Sequence, residues 1–191
     1  MGFKLPPPKM GIDAMCSDQS KTTATVALEE AAVGLTLQCL IARFWREAEK
    51  STGGRADLCF VEEGKFIIDG MVEALGREAI RKVGAYRQEL GRQQNGARHS
   101  RHLMSNFDFD LGALATEGKA IVRAVMTHFG GTGNPPLKLE AALAIYDVTI
   151  TADLQPEGAW LLASLHMQPV FVAENHPARN MPREYSHHGR D

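Results

Sequence analysis

The residues best suited to acid–base chemistry gather around one stretch, ARHSRHLMSNFDFD, at residues 97–110. Read at period two, it puts Arg98, Ser100, His102, Met104, Asn106 and Asp108 on one side and His99, Arg101, Leu103, Ser105, Phe107 and Phe109 on the other. A half-buried strand turns one apolar side to a core and one polar side to water. If the polar row looks into a cavity instead, His102 becomes the leading catalytic candidate. An imidazole with an unperturbed pKa of about 6.5 is a base at neutral pH. Elimination, isomerisation or retro-aldol cleavage without a coenzyme needs such a base within about 3 Å of the proton it removes. It also needs a donor for the developing oxyanion, which a second His, an Asn, a Tyr or a Trp can supply.

Each of the other candidates carries two readings. His128 precedes Phe129 and a glycine turn, so it is either an exposed strand-end histidine or a second pocket imidazole. Asp147 alternates with Thr149 and Thr151, a row that either faces the cavity or is a plain solvated face. Glu49 sits between Arg46 and Lys50 and is a solvated helix end or an orienting carboxylate. Trp45 packs in the core or lines the cavity mouth, where it could stack on an aromatic substrate. Asn106 is a turn former or a ligand contact. His166 and Met167 have opposite parity on the last strand-like run, so one points inward, and Met suits an apolar wall. Trp160 packs inside the last strands, and His176, His187 and His188 belong to a solvent-exposed tail. No close-spaced pair supplies a metal site. Cys16, Cys39 and Cys59 have neither CxxC spacing nor a His neighbour, and Cys39 and Cys59 read as small buried hydrophobes.

The elements that must position these residues follow from the change of period along the chain. Residues 1–22, with Pro6, Pro7, Pro8 and Gly11, read as an extended arm. From Val26 to Lys50, Leu28, Ala31, Ala32, Leu35, Cys39, Ile41, Ala42 and Trp45 recur at helical steps behind a Thr23 or Thr25 cap, up to Gly53 and Gly54. DLCFVEEG at 57–64 reads as a helical turn, Lys65–Ile68 as a short strand, and 77–92 as a second helix ended by Gln93, Gln94, Asn95 and Gly96. Four strand-like runs at about 98–110, 119–129, 137–152 and 159–172 follow, separated by hairpin-like loops. The order predicts an α+β domain over 23–173, with helices laid against one face of a bent antiparallel sheet, and a polar tail over 174–191.

With 191 residues and 44% hydrophobic content, one packed domain is expected. The formal charge of −2, with both signs mixed along the chain, gives no electrostatic reason for a nucleic-acid or anionic-membrane surface. A small neutral or mildly polar ligand is the expected partner. No apolar run of about 20 residues is evident and the start lacks the apolar core of a signal peptide, so a cytoplasmic protein is expected.

GREAI at 76–80, SRHLMSN at 100–106, YD at 146–147 and EGAWLLASL at 157–165 come in the order and at the spacing of the SnoaL-like branch of the nuclear transport factor 2-like superfamily. Over about residues 26–172 the chain most resembles proteins of the scytalone dehydratase type. The resemblance implies a cone, in which a strongly curved, mainly antiparallel sheet wraps around a pocket covered by the N-terminal helices, usually in a dimer or trimer. It implies catalysis without metal or organic cofactor by a His or carboxylate set against a hydrophobic substrate, though many relatives only bind. By the same resemblance His102 falls where scytalone dehydratase has a catalytic histidine, and Glu49 where it has an Asp that orients a second histidine. His128 has the strand and parity of that second histidine but sits two residues early, with Gly130 in the strict position, and Ala48 replaces a family Tyr.

The leading expectation is a cofactor-independent lyase, of dehydratase or retro-aldol type, or an isomerase acting on an aromatic or polycyclic molecule. His102 is its base or acid, assisted by His128 or Asp147 with Glu49 orienting, and Trp45, Met104, Asn106, Thr149 and Met167 contact the substrate. The alternative is a non-catalytic ligand carrier or the small (beta) subunit of a ring-hydroxylating dioxygenase. A cavity of roughly 300 Å³ or more separates carriers and enzymes from a support subunit. Epoxide hydrolysis would need an Asp-Arg-Asp relay in the pocket, and Arg123 has strand parity opposite to His128.

Overall fold

Apolar residues at three- and four-residue steps form helix α1, Asp13–Ala48, in a computed structural model that describes residues 13–50, 54–93 and 98–180. The helix begins at Asp13, so residues 13–22 of the stretch expected to be extended are helical. The chain divides into two compact units between Leu35 and Thr36. In the second unit α1 buries Leu37, Leu40, Ile41, Phe44 and Trp45, whereas Cys39 is exposed, against the expectation of a buried thiol. The inward face is therefore rotated from the stripe expected through Leu35, Cys39 and Ala42. Thr23–Ala48 is also long and apolar enough to cross a membrane by length and composition, which corrects the expectation that no such run exists. Burial of five large side chains from its second half is what a core helix of a folded domain also shows.

A 3-10 turn at Ala56–Cys59 leads into β1, Phe60–Ile68, and then β2, Val72–Leu75. Helix α2, Arg77–Gln93, and strand β3, Arg98–Asp110, keep the expected bounds to within a residue. A four-residue helix, α3, Leu114–Glu117, precedes β4, Lys119–Thr132. Strands β5, Ala144–Leu154, and β6, Trp160–Val172, complete the meander. Strand β1 starts five residues before the expected Lys65, β2 was not expected, and residues 137–143 lie outside β5. The six strands lie in the order β2-β1-β6-β5-β4-β3, antiparallel except for the parallel β1–β6 pair, in an open sheet. The expected α+β class is borne out.

Two irregularities shape the sheet. On β3, Asn106 and Phe107 stand opposite the single Ala124 of β4, and Asn106 takes a left-handed φ of 54°. Such a bulge reverses the side-chain parity of the strand beyond it. Arg98, Ser100, His102 and Met104 thus share one face, and past the bulge Phe107 and Phe109 take over that face while Asp108 and Asp110 turn out. Asn106 is exposed at the bulge, which is its structural role and removes it from the expected ligand contacts.

On β1 the register shifts between Phe60 and Lys65, around the buried Gly64. A Cβ at Gly64 would stand 2.7 Å from the Cβ of the fully buried Phe60. Gly64→Ala is expected to cost about 1–3 kcal/mol through overpacking, read as a lower denaturant midpoint at unchanged m-value.

Candidate active site

The inner face of the sheet is built by cross-strand pairing. His102 on β3 lies opposite His128 on β4, Met104 opposite Met126, and Tyr146 of β5 opposite Met126. The two facing imidazoles stack with ring centres 4.5 Å apart and planes 4° from parallel. Trp45, at the end of α1, stacks on the other face of His102 at 4.0 Å. Sandwiched in this way, the His102 side chain is 4% exposed.

Glu49, one turn beyond Trp45, fixes the ring in its plane. Its Oε1 accepts the backbone N–H of His102 at 2.6 Å and lies 3.2 Å from Nδ1. Because a carboxylate accepts, Nδ1 carries the proton and Nε2 keeps a lone pair. Among the described residues the hydrogen bond of the ring is the one at Nδ1, and none is made at Nε2. Burial raises the Glu49 pKa, opposed first by the hydrogen bond from His102 and then by Arg101, whose guanidinium is 3.5 Å away. The resemblance placed Glu49 beside the second histidine, and the structure places it against the first.

A second chain of bonds comes from beyond β6. His176 is buried at 4% exposure, which corrects its expected place in a solvent-exposed tail; His187 and His188 lie outside the described residues. The backbone N–H of Ala178 donates to His176 Nδ1 at 3.2 Å, so the proton of the neutral ring sits on Nε2. That N–H is 3.1 Å from both His128 Nδ1 and the Tyr146 hydroxyl oxygen and donates to them. His128 Nδ1 is then an acceptor, and its proton lies on Nε2, a buried atom without a partner among the described residues. Tyr146 accepts from His176 and keeps its own hydrogen for another acceptor.

All three imidazoles are held neutral. Burial, then Arg87, pushes His102 well below its ordinary value. Burial, then His102, brings His128 to about 2, and burial, then Arg87, brings His176 to about 4. Burial raises the Tyr146 phenol to about 12, keeping it a donor. The unfolded chain takes up these protons near pH 6.5, the fold only at much lower pH, so stability held at neutral pH is lost as pH falls. For His176 the window runs from about 6.5 down to about 4. Across it, thermal melts should show His176→Gln losing stability less steeply than wild type, by about 1.4 kcal/mol per pH unit.

Two cavities meet at Glu49 and His102. An inner one of about 50 Å³ is lined by His102, His128, Tyr146, Met167, His176 and Arg87, among others. An open groove of about 390 Å³ is bounded by Trp45, Met104, Phe107, Ile41, Glu49 and His102. The inner space holds a few waters or a small polar group, not a ring system. The groove has the size of a small-molecule site.

The expected site thus divides. His102, His128, Glu49 and Trp45 come together, Met104 lines the groove, and Met167 lies on the inner wall. Asp147 and Thr149 are exposed on the outer face, because Tyr146, Val148 and Ile150 take the inward parity of β5. They leave the candidate site. His166 also faces out, 2.6 Å from Asp69. Arg123 does stand between Asp108 at 3.2 Å and Asp110 at 3.8 Å, but all three are exposed on the outer face, so the relay for epoxide opening is not in the pocket. Arg98 lines the pocket from the polar row expected of it, and Tyr146, His176 and Arg87 are pocket residues that sequence reasoning missed. Among the described residues no group of three His, Cys, Asp or Glu side chains is placed to hold a metal ion.

No family model matches the chain, and no curated protein matches its sequence. Solved structures do match its fold. An NTF2-like protein with a cystatin-like fold from Novosphingobium aromaticivorans superposes with a TM-score of 0.61 at 16% identity, over 84% of this chain and 96% of its own. A protein of the same organism provisionally assigned as a scytalone dehydratase gives 0.57 at 18% identity, over 81% and 92%. A Catenulispora acidiphila protein solved in complex with S-DNPA gives 0.55 at 18%, over 73% and 94%. At such identities a likeness speaks for architecture alone, and that architecture, helices with an open, mostly antiparallel six-stranded sheet, is the NTF2-like, cystatin-like fold.

Proposed function

We propose that this protein is a cofactor-independent acid–base enzyme, a lyase of dehydratase or retro-aldol type or an isomerase, acting on a small aromatic molecule. The observation that carries this reading is the Glu49–His102 pair, a buried imidazole whose Nδ1–H is engaged by a carboxylate and whose Nε2 lone pair is unengaged. In a dehydration, Nε2 takes the proton from the carbon next to a carbonyl. The electron pair forms the new double bond, and the hydroxyl departs as water after receiving a proton. Tyr146, protonated and already accepting from His176, is the donor on the inner side. His128 positions His102 by stacking, and Trp45, Met104 and Phe107 hold an aromatic ring in the groove. The fold it shares with a provisionally assigned scytalone dehydratase is consistent with this chemistry.

The inner cavity of about 50 Å³ favours a second reading, a binding or support protein whose cone is filled by its own side chains, as in the small subunit of a ring-hydroxylating dioxygenase. One experiment separates the two. Incubated with a panel of aromatic β-hydroxy carbonyl compounds in deuterated buffer, an enzyme of this type eliminates water or exchanges the acidic carbon-bound proton. A panel that shows neither, with ligand binding or co-purification of a Rieske-type chain, supports the second reading.

A further inference from the structure

The inner pocket holds two arginines for which the acid–base scheme has no use. Arg87 comes from α2 and Arg98 from the start of β3, and both line the cavity with His102, His128, Tyr146 and His176. Among the described residues neither makes an ion pair with a carboxylate, whereas Arg81, Arg92, Arg101 and Arg123, though not Arg43, Arg46 or Arg179, do. Arg87 is half-buried, and its guanidinium stands 6.0 Å from the centre of the Phe66 ring, a contact that offsets only part of the cost of burying a charge.

Among the described residues the charges lining the cavity do not balance. Arg87 and Arg98 bring two positive charges, Glu49 is paired with Arg101 and Lys50 with Glu47, and His102, His128 and His176 are neutral. Positive charge is left in excess around a space of about 50 Å³, which admits a carboxylate group and not a ring. We propose that the inner cavity is the binding site for a single carboxylate group, held by Arg87 and Arg98, and that the small molecule acted on at His102 is therefore an aromatic carboxylate. The second half of this statement rests on the acid–base reading of His102; the first half does not.

The site also explains how so depressed a base could work. After burial, Arg87 and Arg98 are the next causes that lower His102, and burial with Arg98 brings Arg87 itself down to about 10. A bound carboxylate offsets one unit of the guanidinium charge and lets the His102 ring regain part of its basicity when its substrate is in place. Two guanidiniums facing one cavity suit the two oxygens of a carboxylate better than a point charge would.

The test is calorimetric titration of the full chain with acetate and with benzoate at low ionic strength, alongside inorganic phosphate. Saturable binding is expected for the carboxylates. It should weaken about tenfold or more in Arg87→Met and in Arg98→Met, and be unchanged in Arg123→Met on the outer face. If Arg87→Met does not fold, Arg87→Lys serves, keeping the charge and losing the fork, with Arg98→Met as the second measure. Absence of saturable carboxylate binding, equal binding in the arginine variants, or tighter binding of phosphate than of acetate each overturns the proposal. Binding is read equally in His102→Asn, where it should persist. A catalytically silent protein that binds acetate through the arginines sinks the enzyme reading alone, and an active one that ignores carboxylates sinks this inference alone.

Discussion

His102→Asn is expected to lower kcat by about 10²- to 10⁴-fold on any compound the protein turns over, the range for loss of a positioned general base. Asparagine is the informative replacement because its amide N–H can still donate to Glu49 Oε1, as Nδ1–H does across 3.2 Å. What it lacks is the ring nitrogen opposite, the unengaged Nε2. The backbone N–H of His102, 2.6 Å from the same carboxylate oxygen, is retained in any substitution, so Glu49 is not left without a donor. Folding is checked by near-UV circular dichroism, because Trp45 stacks on the ring and reports the packing of the sandwich. His102→Ala removes the ring altogether and should lose activity together with some stability, since it opens a gap between Trp45 and His128. A folded His102→Asn protein that works at the wild-type rate would remove His102 from the mechanism.

Much of this site was legible because alternation and helical spacing are local. The polar row Arg98, Ser100, His102 is one face of β3 in the sequence and in the structure, and the last helical turn of α1 brings Trp45 and Glu49 to the same side. The row fails at Asn106 because a bulge is decided by pairing with β4, not by β3 alone. The misreading of β5 was avoidable. Tyr146, Val148 and Ile150 form an apolar alternating row, which marks the inside and sends Asp147 and Thr149 out. Arg87 had a signal too, since it follows the buried Ile80 and Val83 of α2 at helical spacing, where a charged residue is anomalous. His176 had none: nothing in ENHPARN distinguishes a histidine that returns to the pocket from one that stays in water, because the return is a tertiary contact.

Glu49 acts on substrate only through His102, so it is a positioning residue, and its effect should be read in the pH profile as well as the rate. Glu49→Gln keeps an oxygen that can accept both N–H groups of His102 and removes the charge that favours the imidazolium formed when Nε2 takes up a proton. The expected fall in kcat/KM is about 10- to 100-fold, the rate equivalent of roughly 1.5–3 kcal/mol for a hydrogen bond to a charged group. Activity requires neutral His102, so it is lost as pH falls through the pKa of that ring, which already lies well below its ordinary value. Taking away the neighbouring negative charge lowers it further, and the acid limb of kcat/KM must move to still lower pH. A purely structural role for Glu49 predicts the opposite pairing, a less stable protein with an unmoved acid limb. Glu49→Ala completes the comparison: it removes charge and acceptor together, frees the imidazole to shift its proton to Nε2, and should therefore lose more rate than glutamine does.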